Sequence, residues 1–165
     1  MKTKIKTYRL AISKYFPKHH PRAGEETLFA ESIRIGKKIH TIRDNYEYWA
    51  KRIKDVQDGK AVLVLFEWEG KPYRSKQKEL FRFDGNSDIG IEKSEREGNY
   101  GRDACSPFFV GGFILSNVDV ALHDGLSYTD FDDWFRIGSA EIPESRAIIH
   151  FTKLRYAVRY AGGQK

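Results

Sequence analysis

The chain has 165 residues, 40% of them hydrophobic and 14% aromatic, and sets 29 basic against 23 acidic side chains for a net charge of +6. A chain of this size builds one domain around one core, and this much apolar side chain excludes a disordered polypeptide. No apolar run approaches the ~18 residues of a membrane-spanning helix, and the excess of cations points to an anionic partner, nucleic acid before others.

Residues 1–6 are basic with no apolar stretch behind them, so no secretory signal is expected, and the lone Cys105, which has no partner for an intrachain disulfide, suits a reducing cytoplasm. A single domain over 1–165 is expected, with 1–6 and 161–165 as frayed tails. Residues 7–13 read as a first strand, with Tyr8, Leu10 and Ile12 alternating toward one face. Pro17 and Pro21 bound a loop holding His19 and His20. With no matching Cys, Asp or Glu pattern these read as surface histidines, and no metal or other cofactor is expected. An amphipathic helix is expected over 25–35, and Gly36 stands where a left-handed C-cap belongs. The stretch Gly36-Lys37-Lys38-Ile39-His40-Thr41-Ile42-Arg43-Asp44 then gathers three cations, a hydroxyl and a carboxylate behind a glycine hinge.

Asp44 or Asn45 caps a second helix reaching about Val56, with Tyr46, Trp49, Ile53 and Val56 as its stripe. Residues 61–67 are apolar on both faces and read as a central strand. Glu69-Gly70 turns into Lys71-Pro72-Tyr73-Arg74, and 77–83 form a further strand. Asp84-Gly85-Asn86 is a hairpin signal whose return strand starts at Ile89-Gly90-Ile91. Residues 94–107 read as a long loop, and 113–120 as a short apolar element after Gly111-Gly112. Ser127, with Asp130 three residues on, starts a helix through Phe131, Trp134 and Phe135 that stops at Gly138. Pro143 closes the next loop, and 147–156 is the last strand. Five or six strands and three helices, without strict β-α-β alternation, predict an α+β domain with a mostly antiparallel, curved or closed sheet.

Two of these stretches carry a resemblance. The spacing Gly36-x-Lys38-x-x-Thr41-x-Arg43 resembles the signature of the ASCH superfamily, the activating-signal-cointegrator homology domains, which are relatives of the PUA domain. The likeness resumes at Asp124-Gly125-Leu126-Ser127-Tyr128-Thr129-Asp130-Phe131, an acidic residue leading into a late helix, and again in the strand at 148–154. It implies a small PUA-like β-barrel with about three flanking helices, and RNA or a nucleotide-like ligand as partner. Small bacterial members that remove the acetyl group from N4-acetylcytidine use a lysine, a threonine and a glutamate. The matching positions here are Lys38, Thr41 and, with aspartate in place of glutamate, Asp124. Ile39 stands where those enzymes often carry a small hydroxyl residue, and this chain has extra material at 71–83 and 94–110.

Such residues suit amide cleavage. A threonine hydroxyl attacks an amide when a base takes its proton, and lysine serves once burial or nearby cations, here Lys37 and Arg43, lower its pKa. Arg43 or a backbone N–H is the candidate to hold the oxyanion, and Asp124 to orient the lysine or pass a proton to the leaving amine. In a regular strand Lys38 and Thr41 face opposite sides, so they converge only if residues 36–40 are turned or bulged, whereas Thr41 and Arg43 share a side. The binding reading asks less. Lys37, Lys38 and Arg43 hold phosphate in a cationic cleft beside Gly36, and an exposed Tyr73 stacks on a base, while Tyr46, Trp49 and Trp68 read as core. His40 and His123 read as surface or hydrogen-bonded histidines. The expectation is an ASCH-like domain binding RNA or a nucleotide-like ligand. The alternatives are an amidohydrolase of an acylated nucleoside such as N4-acetylcytidine and a module that meets an acidic protein partner.

Overall fold

A computed structural model describes residues 3–95, 108–136 and 145–163. Most of the expected loop at 94–107, with Cys105, and the expected stops at Gly138 and Pro143 lie outside the described residues. Along the chain, β1 (Lys6–Ala11) is followed by α1 (Phe29–Arg34), β2 (His40–Asp44), α2 (Tyr46–Gln57), β3 (Ala61–Trp68), β4 (Gln77–Phe83) and β5 (Gly90–Glu95). Then come β6 (Phe109–Val110), β7 (Phe113–Ile114), α3 (Asn117–His123), α4 (Tyr128–Phe135), β8 (Ser145–His150) and α5 (Tyr156–Ala161).

β3 is the middle of a three-stranded sheet, parallel to β1 and antiparallel to β4, with a register shift between Leu65 and Phe66. Leu63, Val64, Leu65 and Phe66 are all buried, which is why this run is apolar on both faces. The second sheet has the order β2-β8-β5-β6-β7 and is antiparallel throughout. One core joins the two sheets and the helices: Leu10, Leu63 and Leu65 from the first sheet, Ile148 and Ile149 from β8, and Ile53, Val56, Phe131 and Tyr156 from helices. Burying Ile53 and Val56 of α2 completely contributes roughly 1.5–3 kcal/mol each. The domain is α+β and mostly antiparallel, and among the described residues the sheets do not close into a barrel.

The expected helix at 25–35 is shorter, because its first residues are used elsewhere. Tyr15 and Glu26 form an isolated β-bridge, and the Thr27 N–H and hydroxyl bond back to residues 13 and 14. Asp84-Gly85-Asn86 does turn the chain, with Asp84 Oδ1 accepting from Asn86 N–H at 2.9 Å, but it makes no hairpin. The strand that follows, β5, pairs with β8 and β6 in the other sheet. A turn sequence sets where the chain reverses, not which strand it next meets. Ser94 and Glu95 belong to β5 rather than to a loop.

Two helices stand where a short apolar element and a strand were expected. The element at 113–120 splits into β7 and α3. Ser116 caps α3 by accepting from Asp119 N–H at 3.3 Å, the same S-x-x-D device that starts α4 at Ser127 and Asp130. The expected strand at 147–156 ends at His150 and gives way to α5. Lys6 is already in β1 and Ala161 still in α5, so the ordered fold reaches into both expected tails.

Candidate functional site

Two helix ends close the same way, and together they build the site. After α1, Gly36 takes φ +76° and donates to Ile33 O, while Lys37 N–H reaches Ser32 O at 2.8 Å. After α3, Gly125 takes φ +79° and donates to Leu122 O, while Leu126 N–H reaches Ala121 O at 3.0 Å. Both are Schellman closures, which satisfy the last carbonyls of a helix and need a residue that tolerates left-handed backbone. The first turns the chain so that Lys38 leaves α1 toward α3. The second makes Asp124 the C-cap residue of α3. A hydrogen bond from Ile39 N–H to His123 O (2.8 Å) ties the two ends together.

Lys38 is 2% exposed. Its ammonium donates to the Asp124 carbonyl oxygen at 2.7 Å and to Asp124 Oδ1 at 2.8 Å, and lies 4.2 Å above the centre of the Phe29 ring. The carbonyl belongs to the negative end of α3, where a cation is favoured. Gly125 gives the lysine stem room, since a Cβ there would lie 3.0 Å from Lys38 Cβ. Burial pushes the Lys38 pKa down, against the pull of Asp124. For Asp124, burial works to raise the pKa, but Lys38 and His40 outweigh it and hold the carboxyl below its ordinary range. Asp124 is thus a carboxylate at neutral pH.

Lys38 precedes β2 and is not part of the strand, so the alternation within β2, which separates residues three apart, does not fix its direction. Lys38 and Thr41 line one cleft, together with Arg43, Asp124 and the aromatic rings of Phe29, Trp134 and Phe135. Thr41 and Arg43 point the same way: Arg43 Nη1 donates to Thr41 Oγ1 at 2.8 Å. The guanidinium also bonds Ile42 O and Ala11 O, so Arg43 anchors the end of β1 to β2 as well as facing the cleft. The free space of the cleft is about 280 Å3 counting the part open to solvent, and the centre of a water molecule can occupy about 20 Å3 of it, room for about one water.

Gly36, Lys37 and Tyr73 do not line this cleft. Gly36 acts through its backbone, Lys37 is exposed, and Tyr73 is 89% exposed in the β3–β4 loop. His20 is not a surface residue. It is 3% exposed, its ring lies 4.5 Å from that of Phe16, and its Nε2 bonds the carbonyl of Asp130, while His19 Nε2 bonds that of Trp134. The two histidines hold the loop against α4. Among the described residues no cluster of His, Cys, Asp or Glu has the makings of a metal site, and no helix is long and apolar enough to cross a membrane.

Behind the Lys38–Asp124 pair lies a buried polar chain. His40 Nδ1 comes within 3.4 Å of Asp124 Oδ1 without a well-formed hydrogen bond. His40 Nε2 is 2.8 Å from the Tyr156 hydroxyl, which is also 2.8 Å from His123 Nδ1. One hydroxyl donates only once, so one of these two ring nitrogens carries the other proton. The Asp124 carboxylate favours the proton on His40 Nδ1, which makes Nε2 the acceptor and His123 the donor. Burial drives the His40 pKa down to about 4. The Tyr156 hydroxyl is driven up by the same cause. Alongside, Glu92 accepts from His150 Nε2 at 2.7 Å and from the N–H groups of Tyr156 and Ala157 at 2.6 and 2.9 Å, so it caps α5.

His40 and His123 were expected near the motifs, but Tyr156, Glu92 and His150 were missed as their companions, because these contacts join residues 33–116 positions apart, on strands and helices that only the folded chain brings together. Compared with the models of known families, with curated proteins and with solved structures, the chain matches none.

Proposed function

We propose that this chain is an ASCH-like domain, a variant of the PUA-like architecture, that binds a nucleobase-bearing ligand, a nucleotide or an RNA nucleotide, in the cleft of Lys38, Thr41, Arg43 and Asp124. The observation that carries this reading is the buried Lys38–Asp124 pair opening onto a cleft walled by Phe29, Trp134 and Phe135. Buried ion pairs stabilise folds weakly, and perturbed charges gathered at a concavity mark functional sites. The arrangement supplies what a planar base needs: fixed donors and acceptors for its edge, and rings for its faces. The net charge of +6 assists an anionic ligand's approach. With room for about one water, the cleft admits a base only when its lining moves apart. The test is calorimetric titration with the ribonucleoside monophosphates and with N4-acetylcytidine. Binding that weakens at least tenfold in both Thr41→Ala and Lys38→Met supports the reading, and binding that neither substitution touches refutes it.

A second reading, amide hydrolysis of an acylated nucleoside, is favoured by the depressed Lys38 pKa beside Thr41. Neutral Lys38 would take the Thr41 proton as Oγ1 attacks the acyl carbon. Arg43 would hold the oxyanion, the proton would pass to the departing amine, and water would then release the acid from Thr41. Incubation with N4-acetylcytidine, followed by chromatography for cytidine, tests it. Turnover abolished by both Thr41→Ala and Lys38→Ala is the expected result, and no turnover by the unmodified protein sinks it.

A further inference from the structure

We propose that the tip of the β3–β4 hairpin is a second contact for single-stranded nucleic acid, separate from the cleft, in which Tyr73 stacks on a base and Lys71, Arg74 and Lys76 hold the flanking phosphates. The tip shows one ring almost wholly to solvent: Tyr73 is 89% exposed. It does so on left-handed backbone, at φ +63°. Glycine or asparagine is the ordinary occupant of such a position, and a bulky aromatic there is strained. A strained, exposed ring points to a role for the ring itself.

The ring is also braced. It sits 5.3 Å from that of Trp68, which in turn meets Phe66 edge-on at 5.4 Å, so the aromatic row runs from the buried Phe66 out to the tip. The loop itself is closed. Ser75 Oγ accepts from Gly70 N–H and donates to Lys71 O, both at 2.9 Å, and Arg74 N–H reaches Lys71 O at 3.1 Å. A platform held in place loses little freedom when a base lands on it.

Around it, Lys71, Arg74, Lys76 and Lys78 are exposed, with Glu69 the single carboxylate between Trp68 and Lys78. Among the described residues only Lys78 of these cations has an ion pair, to Glu67 at 3.9 Å. One ring ringed by unpaired cations fits a strand of stacked bases and phosphates. A protein partner would require a broad, well-packed patch, and Tyr73 is the only large exposed hydrophobic side chain in the loop. None of these residues lines the cleft, so this contact does not depend on the cleft reading.

Fluorescence anisotropy with labelled single strands of about ten nucleotides, oligouridine and oligodeoxythymidine, tests it. Tyr73→Gly is expected to weaken binding about tenfold while the thermal midpoint holds or rises, because glycine accepts the backbone angle; Tyr73→Phe keeps the affinity. Replacing Lys71, Arg74 and Lys76 together by alanine lowers the slope of log affinity against log salt by roughly 2. Binding of both strands supports backbone-and-stacking recognition, and binding of RNA alone supports a form of it that also reads the ribose hydroxyl. No binding at low salt, or a Tyr73→Gly protein that binds as well as the original, overturns the proposal. Nucleotide binding at the cleft, titrated in the same Tyr73→Gly protein, is expected unchanged, so a failed cleft and a failed hairpin give different results.

Discussion

The Lys38 ammonium donates at 2.8 Å to Oδ1 of Asp124 and at 2.7 Å to the same residue's carbonyl, across 86 positions of sequence. Each partner is delivered by a helix that ends in a left-handed glycine, Gly36 on one side and Gly125 on the other. The two charges are therefore placed by backbone turns as much as by their mutual attraction, with the Phe29 ring against the ammonium and Gly125 against the lysine stem.

Breaking this pair from one side strands the other charge. With side chains only 2% and 6% exposed, Asp124→Asn and Lys38→Met are each expected to cost about 3–5 kcal/mol in urea unfolding, and the double variant less than their sum. Single losses below about 1 kcal/mol would show a pair that behaves as if solvated.

Gly125 serves twice, through its φ of +79° and through its contact with the lysine stem. Gly125→Ala is expected to destabilise by about 1–2 kcal/mol from the backbone angle alone, with a further loss from the push on Lys38. Gly112→Ala is the control, since Gly112 has φ +83° and open space where the Cβ would sit. Equal thermal midpoints for the two variants would remove the close approach from the picture.

The buried histidines make the fold acid-sensitive. His40 has a folded pKa of about 4 against an ordinary 6.5, so between those values the unfolded chain binds a proton that the folded one refuses. Stability then falls as pH drops from about 6.5 to about 4, by up to about 3 kcal/mol from this group. Burial also lowers His150 and His123, which act in the same direction. Urea unfolding at pH 7 and pH 5 measures the loss, and His40→Gln is expected to flatten the slope. A pH-independent midpoint over that range contradicts the burial.

The hydroxyl of Tyr156 is hydrogen-bonded to both His40 and His123. Tyr156→Phe keeps the ring and leaves two ring nitrogens without that partner, at an expected cost of about 1–3 kcal/mol. Imidazole nitrogen chemical shifts by NMR should report a changed tautomer at His40. Unchanged shifts would mean that the hydroxyl does not set the proton's place.

Much of this protein could be read from its residues in order. Gly36 marked the end of α1, Asp44 or Asn45 the start of α2 (the structure uses Asn45), the apolar run of 61–67 the middle strand β3, and Ser127 with Asp130 the start of α4, because each of these signals is local and acts through neighbouring backbone. α3 was missed: Ser116 and Asp119 carry the same local signal as Ser127 and Asp130, but the apolar residues from 113 to 120 masked it. What residue order left undetermined was every choice between distant partners. β5 pairs with β8 rather than β4, and α5 takes its cap from Glu92, 64 residues earlier than Tyr156. The burial of His40, Tyr156 and Lys38 and the cleft that sets Lys38 beside Asp124 belong to the same class. Their energies come from desolvation and from contacts between segments far apart, quantities that exist only once the two sheets share a core.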